Sequence, residues 1–172
     1  MTAAPDVAYS RVDSPLGPLL AAATPRGLVM LAYDDEPADA RIARLAAEIS
    51  PEVEEAAAPL DPVRRELDDY FDGRRRSFGV PIDWVLVRGF AREVLQRTAE
   101  IPYGQVRSYA EVAYDAGSPR GWRAAGNALG ANPMPIVVPC HRVIAGDGGI
   151  GGYGGRLDRK RFLLALEGGP GF

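Results

Sequence analysis

The sequence predicts an α+β protein in two parts: a small antiparallel β-sheet with helices in residues 1–86, then a helical part in residues 87–172. Strand-like alternation fills the first part, whereas the second shows helical spacing with short connections. The charge changes sign between them. Residues 1–86 hold 9 Arg against 16 Asp and Glu, and residues 87–172 hold 11 Arg and Lys against 7 Asp and Glu. Opposite charges favour two units, the second suited to a polyanion.

The first half is predicted to be a β-meander followed by helices, with no obvious chemistry, and we expect it to be a scaffold. One helix is predicted over 38–49. Another begins at Asp61-Pro62, where a capping aspartate precedes a proline of the first turn, and stops at Gly73. Residues 50–59 are expected to be irregular. The predicted strands are 7–12, 19–24, 28–33 and one more at 78–84.

The second half is predicted to contain a helix near 90–98 and two short helices after it. Ser108 and Glu111 have the capping-box spacing that starts the second helix, and the third covers about 121–130. Two short helices joined by a few residues fit a helix-turn-helix, although a plain helical hairpin fits equally. Small residues on the third helix favour the helix-turn-helix. Glycine costs ~1 kcal/mol in a helix, so its presence there indicates that another surface must approach the backbone closely. The small residues are Ala124, Ala125, Gly126, Ala128 and Gly130.

Composition excludes several classes of protein. One cysteine cannot form an internal disulfide, and one cysteine with one histidine cannot fill a structural zinc site, so we expect no metal and no cofactor. No run approaches the ~20 apolar residues that span a bilayer. The first residues include Asp6 and lack an apolar segment, unlike a signal peptide. We therefore expect a cytoplasmic protein without a membrane partner.

Cys140 and His141 are the only residues of their types, and they are adjacent. A thiol is a useful nucleophile as thiolate, so it needs a neighbour that takes its proton or stabilises its charge. Pro135 and Pro139 bracket the apolar run before the pair and stiffen the backbone there. The alternative is that Cys140 is a small buried hydrophobic residue with an unrelated neighbour.

Three further features accompany the pair. Asn132 precedes a proline, which drives it towards an extended conformation. It belongs either to the candidate site or to an ordinary Asn-Pro turn. Residues 148–155 contain six glycines, which can enclose a flat ligand or form a surface loop, but they lack the ending of a phosphate loop. Glu167 ends a helix, where a carboxylate opposes the helix dipole. Solvent or an arginine could compensate, or Glu167 could orient His141 in a nucleophile–base–orienter arrangement.

Residues 132–143, which read Asn-Pro-Met-Pro-Ile-Val-Val-Pro-Cys-His-Arg-Val, closely resemble the active-site signature of the O6-alkylguanine-DNA alkyltransferases, the methylated-DNA–protein-cysteine methyltransferases. The similarity is dense over about 87–169 and looser in the first half. It implies a ribonuclease-H-like N-terminal domain and a C-terminal winged-helix or helix-turn-helix domain. The further matching motifs are Ile-Pro-Tyr-Gly at 101–104, Ser-Tyr at 108–109, Arg-Ala-Ala-Gly at 123–126, Gly-Tyr-Gly-Gly at 152–155, Leu-Leu-Ala-Leu-Glu at 163–167, and 13–19.

The resemblance implies a reaction in which an alkyl group moves irreversibly and stoichiometrically from O6 of guanine, or O4 of thymine, to Cys140. His141 would accept the thiol proton through a bridging water, and Glu167 would hold the imidazole. Asn132 would orient the active-site turn. Tyr109 would donate a proton towards guanine N3, so that the purine leaves as a neutral base.

The partner that the resemblance implies is duplex DNA, from which the target nucleotide is flipped out. Arg123 would fill the vacated place in the stack, and the small third helix would lie in the minor groove. Leu129 would wedge towards the base from the DNA surface. We expect a monomer that could bind DNA cooperatively. The groove contacts would include Ala124, Gly126, Ala128 and Gly130, and the substrate pocket would be lined by Tyr153, Gly154, Gly155, Val143 and Pro135.

Departures from the family pattern refine the expectation. Some relatives carry an N-terminal zinc site whose Cys and His residues are missing here, which again predicts no metal. Some have a hydroxyl residue at the position of Gly154, where this chain offers only backbone. Two other hypotheses stay open: a lesion-sensing DNA-binding module with a silent cysteine, and a thiol hydrolase with turnover. Relatives of the sensing kind have tryptophan in place of the cysteine, so Cys140 argues against that class.

Overall fold

The structure is a computed structural model that describes residues 3–172. The chain divides into two compact units, Met1–Leu86 and Val87–Phe172, called unit 1 and unit 2 below. Each has its own sheet and helices. The α+β fold class is as the sequence predicts.

Unit 1 is built on a four-stranded sheet in the order β3-β2-β1-β4. The strands β1 (Val7–Val12), β2 (Leu19–Thr24) and β3 (Gly27–Tyr33) form the predicted antiparallel meander, because the short turns between them make consecutive strands neighbours. The fourth strand, β4 (Val53–Glu55), pairs with β1 in parallel, which makes the sheet mixed.

Two helices accompany this sheet, at the predicted places. The helix α1 (Ala38–Glu48) buries Leu45, which belongs to the hydrophobic core of unit 1. The helix α2 (Asp61–Phe71) follows a short 3-10 helix (Ala58–Leu60), so Asp61 is its first residue and not its cap. Its buried face has helical spacing and consists of Val63, Glu66, Leu67 and Tyr70.

Two predictions for unit 1 are wrong. Residues 50–59 are not wholly irregular, because β4 and the 3-10 helix lie there; a three-residue strand carries too short a pattern to be recognised. Residues 78–84 do not form a strand. Leu28 bonds to the carbonyl of Pro81 and to the amide of Asp83, both at 2.9 Å, but Pro81 has no amide hydrogen for a longer ladder. A 3-10 helix (Trp84–Leu86) follows.

Unit 2 is mainly helical. Its helices are α3 (Gly89–Ala99), α4 (Tyr109–Asp115), α5 (Trp122–Gly130) and α6 (Leu157–Leu166). The predicted capping box is present: the amide of Glu111 donates to Ser108 Oγ at 3.1 Å, and the amide of Ser108 donates to Glu111 Oε1 at 3.3 Å. Short strands β5 (Arg107–Ser108) and β6 (Val143–Ile144) pair in parallel and bring residue 143 beside the start of α4.

The helices α3, α4 and α5 pack against one another, and α3 also contacts residues 140–142. The buried core of unit 2 includes Val94, Val112, Ala125 and Val138. None of the helices described within 3–172 is long and apolar enough to cross a membrane.

Candidate active site in unit 2

The turn that leads to Cys140 is fixed by Asn132. The Asn132 side-chain amide donates to the carbonyl of Val138 at 2.9 Å, and its oxygen accepts the amide of Met134 at 3.0 Å. The amide of Cys140 then donates to the carbonyl of Val138 at 2.8 Å. Within the turn, Ile136 has φ 76°, a conformation that costs a β-branched residue about 1–3 kcal/mol. The surrounding hydrogen bonds and burial therefore hold a strained backbone directly before the thiol.

His141 lies in the 3-10 helix Cys140–Arg142 and is fully buried. Its Nε2 lies 2.7 Å from Glu167 Oε2, a carboxylate that comes from the residue capping the C-terminus of α6. We place the imidazole proton on Nε2, because the carboxylate can only accept. The other ring nitrogen, Nδ1, is buried and has no hydrogen-bond partner among residues 3–172, so its lone pair faces away from Glu167.

Arg142 also binds Glu167, and sequence reasoning missed it. Its Nε donates to Glu167 Oε1 at 2.8 Å and its Nη2 to Oε2 at 2.9 Å, a bidentate pair, while its Nη1 donates to the carbonyl of Ile101 at 2.6 Å. Both proposed compensations for the position of Glu167 are thus realised together: an arginine neutralises the carboxylate, and the carboxylate orients His141. The signal was adjacency, because Arg142 directly follows the histidine.

The protonation states of the pair follow from burial. Burial raises the pKa of the Cys140 thiol, and this outweighs the opposing effects of Asn132, Lys160 and Tyr153. Burial also lowers the pKa of His141, although Glu167 acts in the opposite direction. At neutral pH the site therefore holds a thiol and a neutral imidazole, the form of histidine that can accept a proton.

Lys160 is the second residue that sequence reasoning missed. It is the only lysine of the chain, and its exposed fraction is 0%. Its Nζ donates to the carbonyl of Val143 at 2.6 Å and to that of Gly152 at 3.1 Å. Burial lowers the pKa of Lys160 to about 8, and the negative charge of the Cys140 thiolate acts in the opposite direction. Lys160 therefore ties the glycine-rich loop to β6 and places a positive charge near the nucleophile.

Tyr109 meets the same loop from the start of α4. The amide of Gly152 donates to Tyr109 Oη at 3.0 Å, so the hydroxyl accepts there and keeps its own hydrogen for another partner. Gly151 has φ 75°, and a Cβ at this position would lie 2.7 Å from Tyr109 Oη. Only glycine fits here, because both the conformation and the approach to the tyrosine exclude a side chain.

The pocket and groove residues divide into exposed and buried groups. Tyr153 and Pro135 are half-buried, and Gly154 and Gly155 are exposed, whereas Val143 is fully buried and offers its carbonyl to Lys160. On α5 the side chains of Arg123 and Ala124 and the backbone of Gly130 are exposed, and Gly126 is partly so.

Two of the residues expected at the DNA surface, Leu129 and Ala128, lie on the inner face of α5. Leu129 is only 7% exposed and Ala128 is equally buried, because both lie on the face of α5 that packs into unit 2. Leu129 therefore contributes to the core of unit 2, and its role as a wedge towards the base stays a prediction. Ala128 likewise supports α5 from within.

Comparison with known proteins agrees with this architecture. Residues 7–84 match the model of the ribonuclease-like domain of 6-O-methylguanine DNA methyltransferase, and residues 89–169 match that of its DNA-binding domain. Fold and site define the class: a ribonuclease-like unit followed by a helical unit with one buried thiol beside a histidine–carboxylate pair. The chain belongs to the 6-O-methylguanine DNA methyltransferase family.

Individual relatives extend over most of the chain. The methylated-DNA–protein-cysteine methyltransferase of Methanosarcina barkeri is 38% identical over 161 residues, covering 92% of this chain and 96% of the relative. That of Mycobacterium tuberculosis H37Rv is 39% identical over 164 residues, covering 92% and 91%. The crystal structure of Mycobacterium tuberculosis OGT in complex with DNA is 36% identical, with a TM-score of 0.79, covering 94% of this chain and 92% of that chain.

Proposed function

We propose that this chain repairs DNA by direct reversal, moving the alkyl group of O6-alkylguanine, and of O4-alkylthymine, from duplex DNA to Cys140. One observation carries the proposal: a single buried thiol lies beside a neutral imidazole that Glu167 holds at 2.7 Å. Family membership supports the reaction type, because the relatives are methylated-DNA–protein-cysteine methyltransferases over nearly their whole length.

The first step activates the nucleophile. His141 Nδ1 takes the proton of the Cys140 thiol through a water molecule, since Nε2 already donates to Glu167. The thiolate then attacks the alkyl carbon; the S–C bond forms while the C–O6 bond breaks, and the electron pair goes to the base. Arg142 holds the carboxylate through two hydrogen bonds, so Glu167 orients the imidazole and stabilises its positive charge without taking the proton.

The second requirement is a good leaving group. Tyr109 donates its hydroxyl proton to guanine N3, which lets the purine leave neutral, and the hydroxyl hydrogen is available because Gly152 donates to the oxygen. Asn132 is a positioning residue, because it holds the turn that presents Cys140. The proton that His141 took from the thiol then replaces the one that Tyr109 gave to the base. Overall, the base gives one alkyl group to the protein and receives one proton from it.

The product limits the protein to one turnover. The alkyl group ends in a thioether, which has no good leaving group, and the chain holds no second cysteine to accept it. The protein is therefore consumed stoichiometrically. This chemistry distinguishes the proposal from a thiol hydrolase, whose acyl-enzyme is released by water.

Unit 2 is the part that binds DNA. The target atom lies inside the duplex, so the nucleotide must be flipped out before reaction. We assign α5 to the minor groove, where its exposed small residues permit close approach and Arg123 fills the vacated place in the stack. Tyr153, Gly154 and Gly155 wall the pocket for the flipped base. Unit 1 serves as the scaffold, and the protein acts as a cytoplasmic monomer.

The decisive experiment is intact-protein mass spectrometry after incubation with a duplex oligonucleotide that contains O6-methylguanine. We expect a gain of one methyl group per protein molecule, mapped to Cys140, and no gain in Cys140→Ser protein. A parallel oligonucleotide with O4-methylthymine tests the second substrate. No methyl gain with either duplex refutes alkyl transfer, and repeated turnover of substrate by one protein molecule favours the hydrolase hypothesis.

A further inference from the structure

Trp122 is an exposed aromatic side chain that the mechanism does not use. It is the first residue of α5, and 50% of its surface is exposed. Exposing a large apolar ring forgoes a sizeable burial energy, and exposed aromatic rings with a polar tip are frequent at binding surfaces. Its position at the start of the proposed groove helix therefore suggests that it has a partner.

The surroundings of Trp122 are positively charged. The guanidinium carbon of Arg123 lies 5.0 Å from the centre of the Trp122 ring, within the range of a cation–π interaction. Arg120, two residues before Trp122, is exposed as well, and α5 contains no acidic residue. An apolar ring between two arginines is complementary to a partner that combines apolar surface with negative charge.

The helix geometry places Trp122 at the edge of the exposed face of α5. Successive residues turn by about 100° around a helix axis, so Arg123, Gly126, Asn127 and Gly130 lie together in the middle of this face. Trp122 lies on its flank, next to the buried side on which Leu129 packs. A ring at the flank of a helix that enters a groove faces the wall of the groove, which in DNA is the sugar–phosphate backbone.

We propose that Trp122 is a second DNA-contacting side chain of α5, packing its indole against a deoxyribose of the groove wall, donating Nε1–H to a phosphate and holding the guanidinium of Arg123 in place. The inference rests on the proposed function only in that α5 enters a groove of duplex DNA. The contact carries no base specificity, because sugar and phosphate are the same at every position. Trp122 thereby adds affinity for damaged and undamaged duplex alike.

The test uses undamaged duplex DNA and the full chain. Trp122→Ala should weaken binding about tenfold, as removal of aromatic contacts with nucleic acid typically does, while Trp122→Phe, which keeps a ring, should lose much less. Tyr114→Ala is the matched control, because Tyr114 is an exposed aromatic residue of α4. The rate at which iodoacetamide modifies Cys140 should stay at the wild-type value in all three variants, which verifies that the site is folded.

Fluorescence gives an independent measure. Trp84→Phe leaves Trp122 as the only tryptophan of the chain, so its emission should change on titration with undamaged duplex. Unchanged affinity in Trp122→Ala, or unchanged emission in Trp84→Phe protein under conditions where DNA binds, overturns the proposal. A wild-type protein that binds duplex DNA but gains no methyl group refutes alkyl transfer instead, and the two failures are thereby distinguished.

Discussion

Replacing Lys160 by methionine removes the one buried ammonium group and keeps a side chain of similar length. In the folded protein burial lowers the pKa of Lys160 from 10.5 to about 8. One pKa unit corresponds to about 1.4 kcal/mol, so the protonated lysine is about 3–4 kcal/mol less favourable in the folded chain than in the unfolded one.

The pH dependence follows from which state holds the proton. Below about pH 8 both states are protonated and the folded state bears the whole cost. Between about pH 8 and 10.5 the unfolded chain keeps a proton that the folded chain has released, so the free energy of unfolding rises with pH. Above 10.5 the group is neutral in both states and the rise is complete. The Lys160→Met protein lacks this contribution.

The assay is urea unfolding across that pH range, with the Cys140→Ala substitution in both proteins, because the thiol of the unfolded chain also loses its proton in this range. The difference in unfolding free energy, wild-type lysine minus Lys160→Met, should increase by about 3 kcal/mol between pH 8 and 10.5. A measurement at a single pH cannot isolate the cost of burying the charge. Lys160→Met removes that cost, but it also removes the hydrogen bonds to Val143 and Gly152, which are worth about 1–3 kcal/mol each. A difference that stays flat with pH refutes the reasoning.

Three further substitutions test the site. Glu167→Gln should lower the free energy of unfolding by about 3–5 kcal/mol, because Arg142 then keeps a buried charge without its partner. It should also slow methyl transfer at least about a hundredfold. Urea unfolding measures the first effect and quenched-flow mass analysis the second, and wild-type values would contradict the role of the carboxylate. Tyr109→Phe should slow transfer about a hundredfold or more without changing affinity for undamaged duplex in a binding titration, so an unchanged rate would exclude proton donation by its hydroxyl. Gly151→Ala should lower the melting temperature, because φ 75° and the 2.7 Å approach to Tyr109 leave no room for a methyl group; Gly146→Ala, in open space and at an ordinary φ, is the control and should melt as wild type.

Local signals sufficed for most elements. The meander was predictable because proline and glycine separate three short strand-like runs. The helix α4 was predictable because Ser108 and Glu111 each accept the backbone amide of the other. The two wrong predictions concern segments whose structure depends on residues far away in the sequence. The strand β4 exists through pairing with β1, across more than forty residues of chain, and residues 78–84 alternate like a strand although Pro81 prevents the ladder.

In the site, too, some residues could be predicted from the sequence and others depend on the fold. Cys140 and His141 stand out because they are unique, and the awkward helix position of Glu167 predicted a compensating partner. Arg142 directly follows His141, but its contact with Glu167 depends on how α6 packs against the 3-10 helix. Lys160 did leave a signal, being the one lysine among 20 basic residues. Its function as a tie between two backbone carbonyls needed the fold.

The burial of Lys160 also decides how the protein meets amine-directed chemistry. The chain has one side-chain amine, and folding encloses it completely while lowering its pKa to about 8. A reagent that acylates lysine finds no side-chain target on the folded surface and can react at residue 160 only when unit 2 opens. The extent of labelling at this single residue therefore measures how often unit 2 opens, without any engineered probe.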